Sequence, residues 1–186
     1  ENLLQEELIM ENFREIDQLK RQMYVQTKSY DEIIELALNK EKMMAAIPAI
    51  QPIQNKELTR LASGFGMRIH PIYKVKRMHT GLDFSAPRGT PIYATGAGKV
   101  RRAVTSYRKT GYGNYVEIDH GFGYRTKYAH MQMLAVKVGQ EVKRGDLIGY
   151  VGSTGGSTAP HCHYEIIKNG KKINPIQYII QDVSDE

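Results

Sequence analysis

The hydrophobic positions follow two regimes that meet near residue 48. Within residues 1–28, Ile9, Phe13, Ile16 and Met23 recur at helical spacing and form one stripe of an α-helix. The same register puts Lys20 and Thr27 on the seam, so a coiled coil is permitted without being strongly specified. Ser29 followed by Glu32 reads as a capping box and predicts a second helix over residues 30–46, with Ile33, Ile34, Ala37 and Leu38 apolar. From Thr59 the period shortens. Runs rich in β-branched and aromatic residues (91–94, 99–104, 114–119, 124–129, 135–138, 147–151 and 163–167) alternate with glycine at intervals of roughly ten residues, which predicts a mainly β, antiparallel sandwich or open barrel. The expected organisation is a helical segment over residues 1–47 (coiled coil or helical hairpin), a linker over 48–58, and a β domain over 59–186.

Glycine and proline sharpen this boundary. All 17 glycines fall at or after Gly64 and all 7 prolines at or after Pro48. Charge divides the same way: residues 1–47 carry 6 Lys+Arg against 10 Asp+Glu, and the remainder carries 20 against 10. The basic surplus therefore belongs to the β part. With 41% hydrophobic and 25% charged residues the chain is compositionally an ordinary globular protein. The opening residues read as mid-helix with no initiator Met, which suggests an excised fragment whose targeting or anchoring segment lies upstream. A single cysteine, Cys162, excludes an internal disulfide and a thiolate-rich metal cage, so any metal would be held by histidine and carboxylate.

Chemistry concentrates in the histidines. In P-H-C-H-Y-E, His161 and His163 are two apart, and a strand sends such residues to one face about 6.6 Å apart. In H-T-G-L-D, His79 and Asp83 are four apart; full extension would separate their Cα atoms by about 13 Å, too far to share an ion, but Gly81 permits a bend. These four groups already exceed the three protein ligands plus water of a typical catalytic zinc, so not all of them can be ligands. Histidine and aspartate around an open position suit Zn²⁺ better than Mg²⁺ or Ca²⁺. No H-E-x-x-H glutamate is present, which leaves a histidine as the available base.

The segments SGFGMRIHP, MHTGLDFSAPRGTPIYATGAGKV, GNYVEIDHGFGYRTKYAHM and VKVGQEVKRGDLIGYVGSTGGSTAPHCHYEI, in that order, resemble the lysostaphin-like (LytM-type) zinc metallopeptidases, which cut peptide bridges in bacterial peptidoglycan. The resemblance runs from about Ser63 to Tyr178. It implies one Zn²⁺ per chain on His79, Asp83 and His163, and it adds His130 as a fifth group, with catalytic roles for the unligated His130 and His161. It further implies a peptidoglycan substrate and a place in the bacterial cell envelope. Cys162 stands where the family usually has leucine, and alternation aims it away from the metal face.

Other residues are assigned by position. Glu165 shares the face of His161 and His163 and could orient an imidazole; a plain salt-bridged strand residue is the equal alternative. His120 reads as structural. Arg68, His70, Asn114, Ser157 and Thr158 are candidate substrate contacts: Arg68 as a carboxylate fork, His70 from a loop, Ser157 and Thr158 from the small-residue loop before the H-x-H strand. That loop lacks the lysine of a phosphate cradle, and residues 136–152, although similar to biotinyl and lipoyl carrier hairpins, lack their modifiable lysine. The basic surplus carries no nucleic-acid motif and suits an anionic wall equally well, so no nucleic-acid partner is expected. Residues 1–47 could engage a protein partner or self-associate. The function classes left are an active zinc endopeptidase and a silent or latent wall-binding module of the same fold.

Overall fold

In the computed structural model, residues 2–69 and 74–179 are described. The N-terminal segment is one continuous helix, α1 (Asn2–Ala46), which overturns the expected second helix starting at residue 30 and with it the helical hairpin. The reason is local. Residues 1–47 contain no glycine or proline, and a Ser-x-x-Glu pair caps a helix only where the chain leaves helical geometry. Ser29 stays inside the run, and Thr27 just before it satisfies its hydroxyl on the Met23 carbonyl at 2.8 Å. Ile9, Phe13, Ile16 and Met23, the expected stripe, are all exposed.

The chain divides into two compact units, Glu1–Lys42 and Met43–Glu186. In the second, α1 ends at the residue pair Ile47–Pro48, where proline disfavours helical geometry in the residue before it. The Arg144 guanidinium caps the exposed carbonyls of Met44, Ala45 and Ile47. The stretch 48–58, expected as a linker, is seated on this unit: Ile53 is fully buried in the core, and the Pro52 carbonyl accepts from Tyr93 N at 2.8 Å.

The strands are β1 (Arg60–Ser63), β2 (Gly66–Ile69), β3 (Lys76–His79), β4 (Leu82–Ser85), β5 (Pro91–Tyr93), β6 (Gly98–Val104), β7 (Asn114–Gly121), β8 (Tyr124–Leu134), β9 (Glu141–Val142), β10 (Leu147–Val151), β11 (His161–Lys168) and β12 (Lys171–Ile173). The main sheet runs β1-β4-β11-β8-β7-β6-β9, with every pair antiparallel as expected, and β2 and β3 form a separate ribbon; the expected run 135–138 is a connection between β8 and β9 rather than a strand. The far end of the long strand β8 leaves this path to pair with β10, which also pairs with β5. Side chains of the main sheet (Val116, Ile118, Ile166) and of this second set (Ile92, Ile148) join one core cluster. Each contributes on the order of 1.5–3 kcal/mol through burial. The fully buried hydroxyls of Tyr128 and Tyr164 both bond to Thr95 Oγ1, at 2.9 and 2.8 Å, so the core leaves neither unpaired.

Candidate active site

Strand register builds the site. β4 lies between β1 and β11, with Asp83 opposite His163 and Ser85 opposite His161. Alternation sends the intervening Cys162, Phe84, Tyr164 and Leu82 into the core, all nearly or fully buried, so that His161, His163 and Asp83 are left on the other face. His79 closes the group from the end of β3. The bend between His79 and Asp83 needs Gly81 for space rather than for an unusual φ: a Cβ there would stand 2.3 Å from the Tyr164 carbonyl oxygen and 3.0 Å from a ring carbon of His163.

One ligand atom each from His79, Asp83 and His163 falls within a 4.8 Å group. Tautomers decide what that convergence means. His79 Nδ1 lies 2.6 Å from the Gly64 carbonyl, which can only accept, so the proton sits there and Nε2 carries a lone pair. His163 Nε2 lies 3.1 Å from Glu165 Oε1, which likewise fixes the proton on Nε2 and leaves Nδ1 bare. The two bare nitrogens are 3.2 Å apart, and each faces Asp83 Oδ1, at 3.1 Å from His79 and 2.8 Å from His163. Three lone-pair donors aimed at one another in a buried place are mutually repulsive unless a cation lies among them. This donor set fits a zinc site.

The other two histidines keep a nitrogen free. His130 donates Nδ1–H to the Thr154 carbonyl at 2.8 Å, and His161 donates Nδ1–H to the Ala159 carbonyl at 2.7 Å. Each Nε2 is therefore a proton acceptor, and the rings lie 4.7 Å apart between centroids. His161 Nε2 is 3.7 Å from Asp83 Oδ1. Burial, reinforced by the neighbouring His161, depresses the pKa of His130 to about 4, so it is an unprotonated base at neutrality. Its position depends on a bulge. Between Tyr128 and Met131, β8 carries an extra residue relative to β7, and His130 takes φ of +61°, the left-handed region. Regular alternation from Ala129, which faces His163, would turn His130 away from the face that it shares.

These groups line a cleft of about 730 Å³. The profile of peptidase family M23 matches residues 77–175, over half of the chain. The chain belongs to peptidase family M23. It is 48% identical over 118 residues to the DD-carboxypeptidase/endopeptidase Mpg of Neisseria meningitidis, covering 63% of this chain and 26% of that one. Among solved structures it resembles a zinc-containing peptidase from Vibrio cholerae (TM-score 0.60, 37% identity, 67% of this chain and 37% of that one). It also resembles the catalytic domain of lysostaphin from Staphylococcus simulans (TM-score 0.58, 35% identity, 67% of this chain and 92% of that one). The chain spans about a quarter of the length of the curated relatives it matches. The lysostaphin-like resemblance and the mainly β fold are thereby established.

Around this M23 centre, Glu165 is fully buried and ties its surroundings together. Its Oε1 accepts from His163 Nε2, from Tyr112 Oη at 2.9 Å, from Lys172 Nζ at 2.8 Å and from Thr80 Oγ1. Burial alone would raise its pKa; the bonds from His163, Lys172 and Thr80 outweigh that and hold it at about 2. Asp83 is likewise held ionised against burial: an imidazole of His163 or His79 that takes up a second proton donates it to this carboxylate, and the pKa falls far below the carboxylate range. Tyr112, Lys172 and Thr80 were not singled out from the sequence.

The candidate substrate contacts separate. Thr158 and Arg68 line the cleft, but Arg68 Nη2 is engaged by Asp83 Oδ2 at 3.1 Å and so braces one member of the three-donor set. Ser157 turns inward and donates to the Ala159 carbonyl at 2.7 Å, beside the His161 anchor. Asn114 is buried away from the cleft lining: its Oδ1 accepts from Ser106 N at 2.8 Å and its Nδ2 donates to the Gln132 carbonyl at 3.2 Å, which occupies the amide with loop and strand backbone. His70 lies outside the described residues. His120 has both ring nitrogens paired, Nδ1 with the Ala97 carbonyl and Nε2 with Thr126 Oγ1.

Proposed function

We propose that the chain is a zinc-dependent endopeptidase that hydrolyses peptide cross-links of bacterial peptidoglycan, with one Zn²⁺ per chain held by His79, Asp83 and His163. The observation that carries this reading is the pairing of a buried three-donor set with two adjacent imidazoles whose Nε2 atoms are free. Bound zinc would supply Lewis-acid polarisation of the scissile carbonyl and acidify a water ligand. The chain's own residues do the rest. His130 and His161 take the proton of the attacking water, stabilise the developing oxyanion and return a proton to the leaving amine. Their Nδ1–H bonds to backbone carbonyls keep both rings in the tautomer that this requires. Arg68 and Glu165 hold Asp83 and His163 in place.

Family membership, the intact five-residue set and relatives named as DD-endopeptidases support the active reading over a silent binding module. Action in the cell envelope follows from such a substrate. The exposed apolar stripe of α1 supports a role for residues 1–47 in association with another helix. The test is to incubate the zinc-loaded protein with purified, defined muropeptides and identify the new amine terminus by mass spectrometry. Intact cross-links under full zinc occupancy would overturn the reading.

A further inference from the structure

The edge strand β1 carries a feature that the proposed chemistry leaves unused. Between Arg60 and Ser63 the strand bulges: Arg60 pairs with Ser85, Leu61 with Phe84, and Ser63 with Asp83. Phe84 belongs to the core, so Asp83 and Ser85 face the cleft, and the extra residue in β1 brings both Ser63 and Arg60 onto that side although they are three apart. Across β4, Asp83 pairs with His163 and Ser85 with His161. The cleft floor is therefore ruled into two rows, Ser63–Asp83–His163 and Arg60–Ser85–His161. The first is the metal row. The second sets a guanidinium, a hydroxyl and a catalytic imidazole in line, and all three residues line the cleft.

Adjacent strands are about 4.8 Å apart, so the Arg60 and His161 backbones are separated by roughly 10 Å, a gap that an extended arginine mostly spans above the short Ser85. Among the described residues, Arg60 has no acidic partner and the Ser85 hydroxyl has no hydrogen bond, whereas Arg68 is engaged by Asp83 and Lys172 by Glu165. The cationic charge of Arg60 is thus open to a ligand beside the reacting groups.

We propose that Arg60 and Ser85 form a subsite for a carboxylate on the carbon that bears the scissile nitrogen. This rests on the peptidase reading and deepens it. Arginine and a hydroxyl suit a planar carboxylate. A D-alanyl cross-link to a diamino acid carries such a carboxylate next to the cleaved amide; a bridge entered through a lysine side chain does not, and amidation removes its charge. The cleft then selects free diamino-acid cross-links.

The experiment uses two cross-linked muropeptide dimers that differ only at that group, free carboxylate or amide, with the wild-type protein, Arg60→Gln and Arg60→Lys. Relative kcat/KM is read together with the affinity of the matching acceptor peptides by calorimetry. Wild type should favour the free acid about tenfold or more, as a charge-assisted pair implies. Arg60→Gln should narrow that ratio to within about twofold in both readouts, with zinc content unchanged, and Arg60→Lys should restore part of it. Equal handling of both dimers by wild type, or an undiminished ratio in Arg60→Gln, overturns the subsite. Should zinc-loaded wild type cleave neither dimer, the peptidase reading fails and acceptor affinity alone decides the subsite by the same ratio.

Discussion

His163 on the metal side of the cleft is held by different means from the two imidazoles opposite, whereas His79 shares their support, a backbone carbonyl. On the metal side, His163 donates to an ionised glutamate that is itself wrapped by Lys172, Tyr112 and Thr80, and Asp83 is braced by Arg68. On the catalytic side, His130 and His161 each donate to a neutral backbone carbonyl, from Thr154 and Ala159 of the same loop. A carboxylate partner makes an imidazole more basic and ties it down; a carbonyl fixes only the tautomer. The titration directions follow. Burial opposes charge on His163, but a second proton on its ring would be donated to Asp83 while Glu165 holds the first, which raises its pKa, whereas His130, with burial unopposed by any bonded carboxylate, sits near 4. In the proposed reading, one side retains a cation and the other exchanges protons.

The largest effect should come from removing a donor on the metal side. Asp83→Ala or His163→Ala should abolish cleavage and lower bound zinc sharply, by elemental analysis of dialysed protein. Undiminished zinc in the combined His79, Asp83 and His163 variant would break the distinction between the two sides. Next come the exchanging imidazoles. His130→Ala and His161→Ala should each retain zinc while turnover falls by about 10²–10⁴-fold, the usual worth of a positioned acid or base. Loss of zinc in step with activity would merge the two sides into one.

Glu165→Gln probes the support itself, and its effect should be smaller. The amide cannot serve as the same charged acceptor for four donors, and Lys172 is left without its counter-charge. Zinc affinity, measured by chelator competition, should drop by roughly 10–100-fold while turnover at saturating zinc stays near wild type. An unchanged affinity would show that the elaborate hydrogen bonding on the metal side is incidental.

Part of the site was legible in the sequence because its geometry is periodic. Two residues apart on a strand means one face, so His161 and His163 could be paired on paper, and Gly81 marked the bend that joins His79 to Asp83. His130 is different. It sits at a bulge with a left-handed backbone, where alternation points the wrong way, and only the resemblance assigned it. The partners of Glu165 were illegible for another reason: Tyr112 and Thr80 meet it across 53 and 85 residues, and although Thr80 stands inside H-T-G-L-D, no spacing there points to Glu165. Arg68 was recognised as a carboxylate fork, yet the carboxylate it holds is Asp83. In the helix, a capping signature was outvoted by the lack of any glycine or proline to interrupt the turn.

His120 supplies the contrast on which the comparison closes, since it is a buried histidine with no role on either side. Both ring nitrogens are satisfied, by the Ala97 carbonyl at 2.8 Å and Thr126 Oγ1 at 2.7 Å, and burial lowers its pKa beneath the ordinary value near 6.5. The folded chain therefore binds a proton at this ring less readily than the unfolded chain. Below pH 6.5 the unfolded state takes up the extra proton first, so the stability due to this residue is complete above 6.5 and declines as pH falls toward the folded pKa, by at most about 1.4 kcal/mol per pH unit. His130 contributes a slope of the same sign and His163 one of the opposite sign, so wild type alone does not isolate the term. The difference between wild type and His120→Gln does. Urea midpoints at pH 7.5 and 5.5 should show the variant less stable at the higher pH and closer to wild type at the lower one. Zinc content and turnover of the folded variant at pH 7.5 should match wild type. A variant that keeps its full stability deficit at pH 5.5 would mean that the buried imidazole is held for its shape and hydrogen bonds alone, with no proton linked to folding.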